Sequence, residues 1–406
     1  MGAADAPDDT VVQQLKTPWQ ITAPQRAMPL QQNLNLGLRS QQELMERGTE
    51  LIGQGLLQEA GDMFREVLKR DGTNTSARNN LAVVLERQGN FDQAITEYKA
   101  ALAQNPLRAE LYNNLGCAYM ARNDMDNALK NFYQALQFNK DYASAYDNLG
   151  HALFKRGDFA GATAAYQDAL NLTPQASAYH RDLGDALRLT GEPDLAASEY
   201  KAAEKYGDVS VSNRMRLARA LKDAGRHEES LATLKQILGK DAKNTEALNL
   251  QALNYWKMGH LGEGASCLER ALDVDPTYVQ ARNNLGGILY DSHKYEDAVA
   301  VWRQALSIRP DYAEVHYNMG TALYQAGLYQ QSADALRECL KLSPRDAMAH
   351  NNLGLALVKL DQVDQAVAEW RKAIELEPDL AQAHINLGKA LMQDHHAAPL
   401  GIHESG

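Results

Sequence analysis

Paired asparagines recur along the chain in front of a leucine and a glycine. The tetrapeptide NNLG occupies 113–116, 283–286 and 351–354, and close variants occupy 79–82, 147–150 and 385–388. A side-chain amide offers a hydrogen-bond donor and an acceptor, so it can pair with the backbone of an extended peptide whatever the sequence of that peptide. Asparagine is a mediocre helix former, so its repetition inside a helix needs a reason other than propensity. The pattern therefore indicates recognition by hydrogen bonding.

The spacing of the tetrapeptides defines a repeat. The three exact copies lie 170 and 68 residues apart, which is five and two times 34. Aligned in this way, residues 41–380 divide into ten consecutive units without an insertion or deletion, as in a repeat architecture. Each unit has two stretches with apolar residues at helical spacing. The sequence thus predicts ten helix-turn-helix units, a capping half unit at 381–394, an extended or disordered segment at 1–40 and a flexible tail at 395–406.

Residues that shape turns and helix contacts recur in the same register. Glycine fills seven of the ten turns, where a positive φ ends the first helix, while Asn123, His293 and Asp361 fill the others and His293 suits the conformation least. The glycine of the tetrapeptide and alanines of the second helix provide small positions. The complementary large residues are Phe64, Tyr98, Phe132, Tyr166, Tyr200, Trp302 and Trp370. Because the distance between helix axes follows side-chain size, this pattern predicts closely packed helix pairs.

These positions together resemble the tetratricopeptide repeat (TPR) family over residues 41–380 and the half unit. The resemblance implies an all-α fold, a right-handed α-solenoid superhelix of ten 34-residue repeats with a C-terminal capping helix. It also implies that the first helices line a concave groove and the second helices the convex face. The chain is similar in this respect to the superhelical TPR arm of O-GlcNAc transferase.

The resemblance implies that the residue before the leucine of the tetrapeptide faces the groove. Seven of these ten positions are asparagine: Asn80, Asn114, Asn148, Asn284, Asn318, Asn352 and Asn386. They look like the asparagine ladder of the transferase arm, which holds acceptor proteins. With groove helices roughly 8–10 Å apart and an extended peptide advancing about 3.3 Å per residue, one asparagine would meet every third peptide residue. The alternative is that asparagine is only a common family choice at a solvated position.

Two further sets of side chains are predicted to face the groove. Unit six, residues 211–244, carries eight Lys/Arg against four Asp/Glu, and Arg216, Arg219 and Lys222 share one helix face. They would suit an acidic segment of a partner, unless they form an ordinary solvated face. Aromatic residues lie six positions after the ladder site and are either peptide pockets or packed against the next helix: Phe154, Trp256, Tyr290 and Tyr324.

Composition and motifs restrict the function classes. A net charge of -11 and a pI near 5.5 argue against nucleic-acid binding, and no apolar run is long enough to span a membrane. Isolated cysteines without ligand spacing predict no metal and no cofactor. His316, His350 and His384 recur at the period and are predicted to pack rather than to bind metal. The repeats leave no room for a catalytic pocket and no catalytic motif occurs, so the chain is predicted not to be an enzyme.

The sequence therefore predicts a protein–protein interaction scaffold or adaptor that binds an extended peptide or protein segment in its groove. Two alternatives stay open, a substrate-receptor arm of a multidomain transferase and a self-assembling structural protein that forms homo-oligomers. The N-terminus has no basic segment followed by an apolar run, which favours the cytoplasm for the chain as written. A periplasmic location stays open if a native export signal has been removed.

Overall fold

A computed structural model of the protein describes residues 39–397. Within this range the chain forms 21 α-helices and no β-strand, and none of these helices is long and apolar enough to cross a membrane. The predictions for segments 1–40 and 395–406 therefore fall mostly outside the described residues. The helices are α1 Gln41–Gly53, α2 Leu57–Arg70, α3 Thr75–Arg87, α4 Phe91–Gln104, α5 Ala109–Ala121, α6 Met125–Phe138, α7 Ala143–Lys155, α8 Phe159–Leu172, α9 Ser177–Leu189, α10 Pro193–Lys205, α11 Val211–Asp223, α12 His227–Lys240, α13 Thr245–Lys257, α14 Leu261–Val274, α15 Val279–Asp291, α16 Tyr295–Ile308, α17 Ala313–Gln325, α18 Tyr329–Leu342, α19 Ala347–Lys359, α20 Val363–Leu376 and α21 Ala381–Ala397.

The helices pack as consecutive pairs, one pair for each predicted unit. The chain divides into two compact units, residues 1–216 and 217–406, with the boundary inside α11. We call them the first unit and the second unit, and each contains several of the 34-residue repeat units. In the first unit each helix from α1 to α10 packs on its neighbour in sequence, and in the second unit the helices from α12 to α21 do the same. This confirms the predicted all-α solenoid of helix pairs, with α21 packed on α20 as the last helix. The hand of the coil stays a prediction.

The turn inside each pair has the backbone conformation that the sequence predicts. The seven turn glycines have φ between 73° and 83°, and Asn123, His293 and Asp361 have φ of 64°, 60° and 61°. His293, the residue least suited to this conformation, places its Nδ1 2.9 Å from the hydroxyl of Tyr295. All ten predicted turn residues therefore lie in the left-handed region.

In seven of the ten pairs the core contains a large residue packed on a glycine at the fourth position of the tetrapeptide, and alanine takes that position in the other three. The ring of Trp302 lies so close to Gly286 that a Cβ there would be 2.4 Å from its Cε2 and Nε1 atoms. The Trp302 Nε1 donates to the backbone carbonyl of Asn283 at 3.1 Å, which fixes the indole. Phe132 contacts Gly116 in the same way, at 2.6 Å from the position of a Cβ. The predicted alternation of small and large residues is confirmed at these positions.

The periodic histidines hold the connection between units. The Nε2 atom of each donates to a proline carbonyl six residues earlier, at 2.9 Å for His316, 3.2 Å for His350 and 2.8 Å for His384. Their recurrence at the period therefore has a structural cause, because each satisfies the carbonyl that the proline turn leaves without a helical partner.

Candidate functional site

Most of the predicted ladder asparagines bond to a side chain of the preceding first helix, at the position just before the ladder site of that helix. The Nδ2 of each except Asn80 donates to the residue 35 positions earlier, whereas the Asn80 Oδ1 accepts from Asn79 Nδ2 at 3.2 Å. We call this row the amide ladder. Its bonds in the first unit are Asn114 to Asn79 Oδ1 and Asn148 to Asn113 Oδ1, both 2.9 Å. In the second unit they are Asn284 to Asn249 (2.8 Å), Asn318 to Asn283 (3.2 Å), Asn352 to the Tyr317 hydroxyl (3.1 Å) and Asn386 to Asn351 (3.0 Å).

The ladder leaves part of each amide free for other contacts. One inter-helix bond uses one of the two N–H donors of an amide, and the carbonyl oxygen can accept two hydrogen bonds. Six of the seven predicted asparagines are half-buried, so their amides are accessible from one side. Asn148 differs, since only 3% of it is exposed and its Oδ1 has no hydrogen-bond partner among the described residues. Its side chain is sealed between helices and offers no surface to a peptide.

The predicted aromatic residues pack against their own turn or against the next helix. The rings of Phe154, Tyr290 and Tyr324 contact the first residue of the following helix, with centroids 5.2 to 5.4 Å apart. Trp256 instead donates from Nε1 to Asp291 Oδ2 at 2.7 Å and lies over Gly287 of the next unit. Phe154 is buried, with 8% exposed, whereas Trp256 and the two tyrosines are half-buried. The accessible aromatic row is therefore in the second unit.

The predicted basic residues of α11 each contact a carboxylate of the chain. In the first unit, Arg216 Nε donates to both oxygens of Asp185, at 3.0 and 3.2 Å. In the second unit, Arg219 pairs with Glu246, and Lys222 lies 3.2 Å from Asp223 Oδ1. Internal carboxylates thus balance the local excess of positive charge that the sequence indicates.

A group of ionisable residues that the sequence reasoning missed lies where the ladder is interrupted. Asp182 stands at a ladder position, and the residue 35 positions earlier is Asp147 rather than asparagine. Between the two carboxylates lies His151, with Nδ1 3.6 Å from Asp147 Oδ2 and Nε2 3.4 Å from Asp182 Oδ2. We call Asp147, His151 and Asp182 the Asp–His–Asp cluster. Asp147 is 5% exposed and Asp182 8% exposed.

Burial and mutual charge shift the pKa values of this cluster. Burial lowers the pKa of His151, but the carboxylates of Asp147 and Asp182 outweigh it and raise the pKa to about 9. Burial raises the pKa of Asp147 to about 6, against the opposing effect of His151. Burial acts in the same direction on Asp182, yet hydrogen bonding and charge from His151, with the charge of Arg181, leave its pKa below the usual value.

The position of the cluster could have been found from the ladder itself. Once the donor is known to bond 35 residues back, an aspartate at 182 must face the aspartate at 147. Two buried carboxylates cannot share that contact without a proton or a cation between them. A histidine one helical turn after Asp147 can place its proton between the two carboxylates.

Comparison with known protein families identifies the family of this chain. A family model described as "Tetratricopeptide repeat" matches residues 45–97, 84–144, 148–209 and 317–370, which together make up more than half of the chain. Related models of the same repeat match 214–236, 245–278, 286–327 and 356–394. The chain belongs to the tetratricopeptide repeat family.

Solved structures similar to this TPR protein have low sequence identity. Pseudomonas aeruginosa pilF is 20% identical, with a TM-score of 0.47, over 52% of this chain and 96% of its own. Yeast Tom70 is 14% identical, with a TM-score of 0.46, over 87% of this chain and 88% of its own. YrrB, described as a TPR protein with an unusual peptide-binding site, is 19% identical, with a TM-score of 0.40, over 47% and 97%. No curated protein matches the chain.

Proposed function

We propose that this TPR protein is an interaction scaffold that binds an extended peptide segment of a partner protein along its amide ladder. TPR proteins generally mediate protein–protein interactions. The observation that carries the proposal is the ladder itself. Its bonds hold the half-buried amides in fixed orientations, which lowers the entropic cost of binding a backbone. One N–H donor is unused in Asn114, Asn284, Asn318 and Asn386, whereas the Asn352 Nδ2 donates to both Tyr317 and Thr321.

The second unit supports the proposal most strongly. It holds four successive ladder asparagines, Asn284, Asn318, Asn352 and Asn386, all half-buried. Tyr290 and Tyr324 lie on the first helices that carry Asn284 and Asn318, and Trp256 lies on the preceding first helix, α13. All three are half-buried, as are the aliphatic side chains of Leu253 and Leu355. Amides can pair with a peptide backbone, and aromatic and aliphatic surface can bury its side chains. The partner segment is therefore extended and partly apolar.

We do not propose that the partner segment is acidic, although the sequence favours such a segment. Arg216, Arg219 and Lys222 already contact carboxylates of the chain, so binding a second acidic group there would require breaking those contacts.

The test compares two variants that lose the same ladder bond. Asn284→Ala removes a ladder amide together with its bond to Asn249, whereas Asn249→Ala removes the bond but leaves the Asn284 amide in place. Peptides selected on the purified chain from a random displayed library serve as the probe. We expect Asn284→Ala to weaken binding about 5- to 10-fold, the value of one hydrogen bond of about 1 kcal/mol, and Asn249→Ala to change it less than about 3-fold.

Two results would contradict the proposal. One is a selection in which the wild-type chain enriches no peptide. The other is equal affinity of the two variants, which would mean that the amide contributes only through the inter-helix bond.

A further inference from the structure

The Asp–His–Asp cluster of the first unit has the composition and spacing of a metal site. One nitrogen of His151 and one oxygen from each of Asp147 and Asp182 all lie within 4.8 Å of one another. We propose that these three side chains bind a divalent transition-metal ion of the zinc and cobalt type. Imidazole and carboxylate together suit such ions, whereas Ca²⁺ and Mg²⁺ prefer all-oxygen sites.

The contacts between His151 and the two carboxylates are longer than ordinary hydrogen bonds. An N–H···O bond usually measures about 2.7–3.2 Å, shorter than the contacts of His151 with Asp182, at 3.4 Å, and with Asp147, at 3.6 Å. Two ligands of a tetrahedral zinc ion, with bond lengths of about 2.0–2.2 Å, lie about 3.4 Å apart. The contacts to Asp147 and Asp182 belong to different nitrogens of His151, and only one of these nitrogens can ligate a given ion. The ion therefore binds one nitrogen of His151 and one oxygen of each carboxylate, atoms that lie within 4.8 Å of one another, and binding draws the more distant of them together.

Buried polar atoms of the cluster that have no hydrogen-bond partner give independent support for a bound cation. Asp147 is 5% exposed, and its Oδ1 has no hydrogen-bond partner among the described residues. His151 Nδ1 is likewise buried without a hydrogen-bond partner in that part of the chain. A buried carboxylate oxygen without a partner is costly, and a bound cation removes that cost. At the asparagine positions of the ladder the side-chain Nδ2 donates to the residue 35 positions earlier, which the carboxylate of Asp182 cannot do.

Neighbouring residues hold the ligands in place. Arg181 Nε donates to Asp182 Oδ1 at 3.1 Å, and Arg181 is itself within 3.4 Å of Asp208 Oδ2. The imidazole of His151 lies edge-on to the ring of Tyr166, with centroids 5.4 Å apart and planes at 81°. Ligating carboxylates are commonly held by outer hydrogen bonds of this kind, and aromatic packing restricts the imidazole. The arrangement is built from α7 and α9, whose residues belong to the same compact unit.

The experiment uses Co²⁺ as a spectroscopic probe on the full chain after removal of metals with a chelator. Ligand-field absorption in the visible range reports inner-sphere nitrogen and oxygen ligands. We expect one equivalent of Co²⁺ to bind and Zn²⁺ to displace it. His151→Gln should weaken Co²⁺ binding at least 100-fold.

A second variant keeps the test independent of folding. The double variant Asp147→Asn, Asp182→Asn replaces the carboxylates with the asparagines found at other ladder positions, so its Asn side chains can form the ordinary ladder bond. We expect this variant to fold with an unchanged helical circular-dichroism spectrum and to lose Co²⁺ binding. His350→Gln is the matched control, because His350 contacts Pro344 and Glu369 outside the cluster, and it should bind Co²⁺ as the wild type does. A triple Gln variant of His395, His396 and His403 controls for metal binding by the tail and should also retain the signal.

Two outcomes would overturn the proposal. In one, the wild-type chain shows no stoichiometric Co²⁺ spectrum, and a proton on His151 is then the only cation of the cluster. In the other, the spectrum persists in His151→Gln or disappears in the tail variant, which would locate the metal elsewhere.

Discussion

At the scale of single residues, polar side chains inside this protein either find a hydrogen-bond partner or lose solvation without one. The Asn284 amide donates to Asn249, and the Trp302 indole donates to the Asn283 carbonyl. Glu86 of α3 is less well placed, since it is 7% exposed, its Oε2 accepts from Tyr98 at 3.2 Å and its Oε1 has no partner among the described residues. Burial raises the pKa of Glu86 to about 7, although the hydrogen bond from Tyr98 opposes that shift.

Glu86 should therefore make stability depend on pH. The folded-state pKa of about 7 lies above the usual glutamate value of 4.5, so the folded chain keeps its proton where the unfolded chain has lost it. Its contribution is fully favourable below pH 4.5 and is lost as the pH rises through 7. We expect Glu86→Gln to match the wild type at low pH and to be more stable by about 3 kcal/mol above pH 8.

Urea denaturation of both proteins across this pH range measures the difference. Glu46→Gln is the control, because Glu46 is exposed on α1 and should leave the pH dependence unchanged. A constant difference between Glu86→Gln and the wild type at every pH would show that Glu86 is not a titrating group of the core.

At the scale of helices, seven of the ten pairs contain a glycine that accommodates a large side chain. The tetrapeptide glycine lies within a first helix, where glycine is unfavourable relative to alanine. It is required at Gly286 because a Cβ would collide with Trp302. The same position in the last half unit is Gly388, where a Cβ would meet no heavy atom of the described residues within 4 Å. The two glycines thus stand at the same position of the repeat, but only Gly286 is packed against a large side chain.

Gly286→Ala and Gly388→Ala should consequently change stability in opposite directions. We expect the first to destabilise the second unit by about 1–3 kcal/mol through overpacking. We expect the second to stabilise α21 by about 0.5–1 kcal/mol, because alanine is the better helix former. Guanidinium denaturation monitored by circular dichroism and by tryptophan fluorescence provides the measurement. A Gly286→Ala protein as stable as the wild type would mean that the Trp302 indole can move at little cost.

At the scale of the whole molecule, stability is distributed over contacts between neighbouring helices. Arrays of this kind have stabilities that are approximately sums of repeat and nearest-neighbour terms. The end of the second unit shows one such term, where Ala383 and Ala390 of α21 pack with Leu357 and Trp370 of α19 and α20. The opposite side of α21 exposes Ile385 by 52% and Met392 by 70%. Loss of α21 should therefore destabilise only the helices next to it.

Removing residues 381–406 should destabilise α19 and α20 and leave the first unit unchanged. The truncation exposes apolar surface of the cluster that contains Leu357 and Trp370, and that surface contributes about 25 cal/mol per Å² when buried. We expect faster amide hydrogen exchange in α19–α20 and unchanged exchange in α1–α10. Removal of residues 398–406 alone is the control and should change neither. A uniform increase in exchange across α1–α10 would contradict nearest-neighbour stability.

The sequence by itself determined the period, the helix pairs, the turn residues and the pairing of glycine with an aromatic ring. Each of these features arises from contacts within one unit, such as Gly286 with Trp302, and repetition shows the pattern many times. Positive φ at His293 was predictable for the same reason, because its place in the register requires it. Helix propensity, turn preference and periodicity can be read from the sequence without knowing which helices are neighbours.

Only the tertiary structure decided the partners of the side chains between units. The amide of Asn318 bonds to a residue 35 positions earlier, although the repeat is 34 residues long, because neighbouring first helices pack with an offset between equivalent positions. That offset brings Asp147 opposite Asp182 and places His151 between them. Burial also differs between equivalent positions of the repeat, since Asn148 is 3% exposed and Asn284 is half-buried. Burial and charge pairing depend on how two helices approach, and that distance is set by all the side chains of the interface together.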